Sequence, residues 1–156
     1  MAYATSDDLQ ARCLERDLIA ITDETNQAVD VARLTTALGD ASAEIDGYLG
    51  MRYVLPLVDA VSGAAIAPSP VLVRMCCDMA LYNLQVLRPA DDIKDAVARY
   101  NLALKMLRMM SVGDVQIAGA RLLDGQAAFP PDASQSTGNV QFSSPRHPDT
   151  FGRRSR

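Results

Sequence analysis

The sequence predicts a mainly α fold: a small domain of about four helices, two or three of them long and antiparallel. A short extended segment and an extended C-terminal tail complete it. Three observations carry that reading. Hydrophobic residues make up 49% of the 156 residues, yet aromatics are only 5% and Trp is absent. The core must therefore be aliphatic, and a Leu-, Ala- and Met-rich core suits helices better than a β-sandwich. Apolar residues also recur at spacings of three and four over two long stretches, the period of one helical face. Finally, Ser, Asp, Pro and Gly stand where those stretches should start and stop.

Ser6 is a good N-cap for a first helix beginning at Asp7, and Asp7-Asp8 suit its positive end. Leu9, Leu14, Leu18 and Ile19 supply its apolar positions, with a break expected near Glu15 to Asp17. Thr22 to Gln27 is polar and reads as a loop. The second helix should run from Asp30 to Leu49, with Val31, Leu34, Leu38, Ala41, Ile45 and Leu49 on one face. Met51 to Val61 looks extended, because Tyr53, Val54 and Leu55 are strand-like and Pro56 forbids helix. Val61 to Ser69, made of Gly, Ala, Ser and Pro, reads as a flexible linker. The third helix has Ser69 to cap it, Pro70 at its first position and Pro89 to end it after Arg88. From Val71 to Leu87 it is apolar nearly all round, as befits a helix central to a core or buried between subunits. Ala90-Asp91-Asp92 should open the fourth helix. Ile93, Val97, Tyr100, Leu104, Leu107 and Met110 make its stripe, and Gly113 ends it. Val115-Gln116-Ile117 suggests a short strand.

The length suits one domain with a single core. Its charge is unevenly spread. The formal net charge is −4, but residues 1–124 hold 17 acidic and 11 basic residues, a net of −6. Residues 125–156 set Asp132 and Asp149 against Arg146, Arg153, Arg154 and Arg156, a net of +2. This tail is rich in Gly, Pro, Ser, Gln and Thr and cannot bury enough apolar surface to fold alone. The division is thus a helical body, 1–124, and an extended tail, 125–156, to be ordered by a partner.

Several classes are excluded. No apolar run approaches the roughly 18 to 20 residues of a membrane span. The first residues lack the basic and apolar regions of a signal peptide. Three cysteines are too few for a disulfide scaffold, which favours a reduced, intracellular chain. The acidic balance argues against a nucleic-acid binder.

Site chemistry is sparse. His147 stands in the polar tail beside Pro148, away from any evident nucleophile or orienting acid. Cys76 and Cys77 are adjacent, with no second ligand pair to make a zinc site, and read with Cys13 as small core residues. No glycine-rich phosphate or dinucleotide motif is present. The loop from Asp23 alternates polar residues as a calcium loop does, but Ala28 and Leu34 stand where Gly and Glu are needed. Asp7-Asp8 and Asp91-Asp92 are explained by helix starts. Met106, Met109 and Met110 suit core filling or an oligomer contact. No cofactor, metal or catalytic residue is expected, so the chain reads as no enzyme. The Arg-rich end could meet phosphates or dock on an acidic protein surface.

The block Ala41-Ser42-Ala43-Glu44-Ile45-Asp46-Gly47-Tyr48-Leu49, followed by Arg52-Tyr53-Val54-Leu55-Pro56-Leu57, resembles the central signature of the Mu-like phage head–tail joining protein family. Tyr3-Ala4-Thr5 with Asp7-Asp8-Leu9 is similar to that family's N-terminus. Leu18-Ile19-Ala20-Ile21-Thr22-Asp23 matches its next segment. Pro70-Val71-Leu72-Val73-Arg74 and Cys77-Asp78-Met79-Ala80 with Tyr82 resemble its third helix. Phe142-Ser143-Ser144 and Phe151-Gly152 are similar to its closing pattern, although Ser144 stands where Arg is commoner and residues continue past Gly152.

The resemblance implies a structural role without catalytic residues. Such proteins are head–tail connectors, or adaptors. Several copies form a ring beneath the portal, commonly matching its twelve-fold symmetry. The ring extends the DNA channel and receives the next neck or tail protein, a stopper or tail terminator. It implies a virion component at the head–tail interface, made in the host cytoplasm, with no membrane partner and with DNA passing without specific binding. The mildly acidic body suits a channel wall that repels phosphates. The tail residues Phe142, Arg146, Phe151, Arg153, Arg154 and Arg156 are the candidate docking residues. The alternative is a small DNA-binding packaging or regulatory protein, for which the basic helix face is missing from residues 1–124.

Overall fold

The computed structural model describes residues 2–23, 25, 27–87 and 95–126. Among them are five helices: α1 (Ser6–Gln10), α2 (Glu15–Thr22), α3 (Val31–Leu49), α4 (Pro70–Leu87) and α5 (Ala96–Val112). The fold is mainly α as expected, with one more helix than the sequence suggests.

The extra helix arises because the first expected helix is two. Its break falls at residues 11–14, ahead of the expected Glu15 to Asp17. Leu14 adopts an extended conformation before α2 and is 62% exposed, so it is not a core position. Glu15 and Asp17 then fall in the first turn of α2, where carboxylates meet the positive end of the dipole. The cap of α1 is Thr5 in place of Ser6. The Asp8 amide donates to the Thr5 hydroxyl, and the Asp8 carboxylate accepts from the Thr5 amide, a reciprocal capping box.

α3 starts on Asp30, whose carboxylate accepts from the amides of Ala32 and Arg33. Leu34, Leu38, Ala41, Ile45 and Leu49 form its buried stripe as the periodicity predicts. Val31, at the first turn, is half exposed. α4 has Pro70 at its first position, and the Ser69 hydroxyl accepts from the Leu72 amide at 3.4 Å. Leu72, Met75, Cys76, Cys77, Met79, Ala80, Leu81 and Leu84 are all buried. This near-continuous burial follows from position: α4 packs on α3 and α5 and also touches α1 and α2. The three cysteines are free thiols, with Cys13 half-buried against the core.

α5 buries Ala96, Ala103, Leu107 and Met110, with Tyr100 and Leu104 partly covered. Val97, expected in that stripe, is 59% exposed. Ala96 and Ala103 are buried instead, so the covered face of α5 is rotated away from Val97. Ile93 and the acids Asp91 and Asp92 lie outside the described residues.

The expected extended segments meet in one corner without forming a strand among the described residues. Isolated antiparallel bridges join Tyr53 to Leu122, Val58 to Ala65 and Asp59 to Ala120. The pairing therefore falls at 120–122, past the expected Val115 to Ile117. Residues 61–69 begin as a tied turn, not a loose linker. The Asp59 carboxylate accepts from the amides of Val61 and Ser62 and from the Ser62 hydroxyl, and the Asp59 amide donates to Ala64 O.

Candidate functional site

The residues that carry the family resemblance converge on two junctions of the fold. At the first, the N-terminal segment is locked to α3. The Tyr3 amide donates to the Ser42 hydroxyl at 3.2 Å, and the Tyr3 phenol donates to the Asp46 carboxylate at 2.5 Å. Burial, then the bond to Asp46, raises the Tyr3 pKa well above the ordinary phenol. Behind it, Ser42 Oγ lies 3.5 Å from Cys76 Sγ, and that thiol lies 3.8 Å from Leu38 O, tying α3 to α4 through the core. Ser42 is buried between these partners, which explains a hydroxyl inside an aliphatic stripe.

The second junction is the corner around Arg52 and Tyr53. Arg52 is 8% exposed and reaches from the end of α3 to the end of α5. Its guanidinium donates to Val112 O and to Gln126 Oε1, each at 3.3 Å. A cation there also faces the negative end of the α5 dipole. Gly113 makes the approach feasible. Its φ is 103°, and a Cβ built on it would sit 2.5 Å from Arg52 Cζ. Tyr53 is fully buried, and its phenol oxygen accepts from the Ile117 amide at 3.1 Å. The Leu123 amide donates to Arg52 O and the Val54 amide to Arg121 O.

A third assembly of polar and aromatic groups lies on the α3–α4–α5 seam. Tyr82 and Tyr100 stack with centroids 4.2 Å apart and planes 22° from parallel. The Tyr100 phenol donates to Glu44 at 2.8 Å, and that bond, aided by burial, pushes its pKa up to about 12. Arg99 lies 3.8 Å from Asp78, whose pKa burial raises despite the nearby cation. Beside the stack, between the C-terminal half of α4 and the start of α5, is a groove of about 670 Å³. Tyr82, Val86, Asp95, Val97 and Asn101 line it, and Val86 and Val97 are 61% and 59% exposed.

The remaining candidates are placed as follows. Met110 is buried, and Met106 is half-buried against the core. Asp23 organises its own loop: its carboxylate accepts from the amides of Thr25, Gln27 and Ala28 and from the Thr25 hydroxyl. Those bonds, led by the Gln27 amide, hold its pKa far below the usual carboxylate range. Among the described residues no cluster of three His, Cys, Asp or Glu side chains could hold a metal. No helix among them is long and apolar enough to cross a membrane. The tail candidates Phe142, Arg146, Phe151, Arg153, Arg154 and Arg156, with His147, lie outside the described residues. So does nearly all of the expected 125–156 segment.

Sequence reasoning missed Arg52 and Gly113 as a pair. The signal was available: an Arg at the head of the apolar run Tyr53 to Val58, and a Gly after a helix of matching length. It did not say that the two would meet.

By its fold the molecule is a small all-α protein, with its family-like residues tying the helices to one another. Comparison with known proteins gives the family. The family model described as Bacteriophage Mu, Gp36 matches residues 3–133, and the chain belongs to that family. It is 36% identical over 115 residues to Gene product J of Escherichia phage Mu, covering 72% of this chain and 74% of that protein. It is 36% identical over 91 residues to Mu-like prophage FluMu protein gp36 of Haemophilus influenzae, covering 58% and 57%. The chain is therefore a Mu-like phage protein.

Proposed function

We propose that the chain is a structural head–tail connector of a Mu-like phage particle. Copies of it assemble as a ring under the portal, extend the DNA channel and receive the next neck or tail protein. The observation that carries this reading is what the family-like residues do. Tyr3, Ser42, Asp46, Arg52 and Tyr53 each bond to another part of the body, so the residues that carry the resemblance hold the shape of this chain. A shape is what an adaptor must present to its neighbours. In this reading the chain is no enzyme and takes no cofactor.

The charge pattern supports the same role. A body of net −6 repels phosphates and lets DNA slide, while the net charge of +2 on residues 125–156 suits an acidic protein surface. Phe142, Arg146, Phe151, Arg153, Arg154 and Arg156 are the residues proposed to dock on the portal.

Electron microscopy of the full chain mixed with its portal tests the reading. A ring of density on the portal is expected. A chain that never joins the portal, together with a phage lacking it that still joins heads to tails, would overturn the proposal. Deleting residues 142–156 should leave the helical body folded and abolish portal capture in a pull-down. A gel shift at physiological salt separates the alternative, since tight DNA binding belongs to a packaging or regulatory protein.

A further inference from the structure

Three arginines gather around one carboxylate where α4 meets α1 and α5. Asp78 stands in α4 with its side chain 21% exposed, and Arg99 of α5 lies 3.8 Å from it. Arg74 precedes Asp78 by four residues on the same helix, which puts both on one face. Arg12 follows α1, which packs on α4. Burial raises the Asp78 pKa against the pull of Arg99, Arg74 and Arg12, so all three cations act on this carboxyl. Two neighbouring acids are occupied elsewhere: Asp8 completes the Thr5 capping box, and Asp17 binds Arg16. Arg12, Arg74 and Arg99 are exposed, and Arg12 and Arg74 make no hydrogen bond or ion pair among the described residues. Three cations against one partly buried anion give this face a charge of +2. In a body of net −6, that leaves −8 on the rest of residues 1–124.

Asp40 is the complementary group. It stands in the middle of α3, is exposed, and makes no hydrogen bond or ion pair among the described residues. Aspartate is among the poorer residues for a helix interior, so a local reason is called for. None is present. Asp8 and Asp30 cap helices, Asp23 and Asp59 tie loops, and Glu44 and Asp46 hold phenols, whereas Asp40 does none of these. Around it Thr36, Gly39 and Ala43 are small and exposed, and nothing lies within 4 Å of a Cβ built on Gly39. The carboxylate is open to a long side chain arriving from outside. We propose that the Arg12, Arg74 and Arg99 face of one copy docks on the Asp40 face of α3 in a second copy. Charge selects the partner: a +2 face finds its complement on the acidic remainder of another copy. A DNA backbone crossing this face also meets a body of net −6, which disfavours it. The two faces belong to different helices, so the contact is head-to-tail, and each copy offers one face to either neighbour. Contacts of that kind close into rings when the rotation permits. The inference rests on the connector reading, to which it adds the surfaces by which copies meet.

Sedimentation velocity of the full chain tests it. Self-association is expected at low salt and should fall away toward about 1 M salt, where the screening length is about 3 Å. Arg74→Glu and Asp40→Arg, both at exposed positions, should each weaken association by about tenfold or more, with unchanged circular dichroism spectra. Mixing the two variants should restore it. The reversed arginine face of one then meets the reversed α3 of the other, and their two native faces also match. A native chain that stays monomeric at low salt, association that neither variant weakens, or variants that mixing does not rescue would each overturn the proposal. So would a gel shift with DNA that Arg74→Glu abolishes. Electron microscopy with the portal separates this contact from the connector reading. A ring formed on the portal equally well by Arg74→Glu copies overturns the proposed surfaces and leaves the connector reading standing. A native chain that associates as described yet never joins the portal overturns the connector reading and upholds the contact.

Discussion

Leu72 in α4 and Arg52 in the corner beyond α3 are both buried, at 0% and 8% exposure, and they are held in opposite ways. Around Leu72 the helices α3, α4 and α5 share an aliphatic core that is stabilised by area and has few directional requirements. Around Arg52 the polar contacts are directional. A guanidinium, a left-handed glycine, one tyrosine and a handful of main-chain bonds fix the geometry. The first region should respond to lost volume and tolerate changes of shape. The second should respond to a single misplaced atom.

The comparison can be tested from both sides. Leu72→Ala removes three buried carbons and leaves a cavity, and should cost about 3–4 kcal/mol in urea unfolding. Leu72→Met should cost under about 1.5 kcal/mol. If the two cost the same, the helical core is not volume-limited. Gly113→Ala should cost about 2–3 kcal/mol, since it adds a Cβ in a left-handed conformation against Arg52. The same change made in an Arg52→Ala background should cost distinctly less, because the clash is gone. Strict additivity in that cycle would show that the guanidinium is not what the glycine accommodates.

Smaller effects sharpen the picture. Tyr3→Phe keeps the ring and deletes the bond to Asp46, for an expected loss of about 1 kcal/mol. Gly39→Ala should raise stability by about 0.5–1 kcal/mol, because Gly39 lies within α3 and nothing stands within 4 Å of the added Cβ. A destabilised Gly39→Ala variant would mean that the isolated chain already packs something on that face. The least effect is a pH slope. Asp8, Asp23 and Asp59 all have folded-state pKa values held below the ordinary carboxylate value by hydrogen bonds. The unfolded chain therefore takes up protons first as the pH falls. Their stabilisation is present above the ordinary carboxylate pKa and is lost as the pH drops toward the folded values. Asp23→Asn should make that acid limb shallower in a series of melts from neutral pH downward. An unchanged limb would mean the Asp23 loop is undone at no cost to the fold.

Much of the helical frame was legible. The stripe from Leu34 to Leu49 and the all-round apolarity of α4 were read correctly because burial on a helix imposes a period that a single segment displays. The misreadings share a cause. Val97 fits the α5 period as well as Ala96 and Ala103 do, and only the neighbouring helices decide which flank is covered. Leu14 is apolar yet exposed, because the chain turns there. The corner was foreseen as extended but with its second segment out of place, since bridge partners such as Tyr53 and Leu122 are about seventy positions apart. Of the candidate docking residues, none lies among the described ones. The polar locks that were found, Tyr3 to Asp46 and Arg52 to Val112, pair residues distant in sequence and leave no local pattern.

By itself, the sequence determined the class of fold, the helix starts at Asp30 and Ser69, the segregation of acid from base, and a resemblance to a phage family that the family model and relatives then established. Those properties are local or compositional, so each is written in a short stretch of chain. Tertiary structure alone decided that Arg52 would lie against Gly113, that Ser42 would be buried against Cys76, and that Val86 and Val97 would face a common groove. Each of these is a meeting of residues far apart in sequence. It exists only once α3, α4 and α5 have chosen their rotation about one another to bury the most apolar surface.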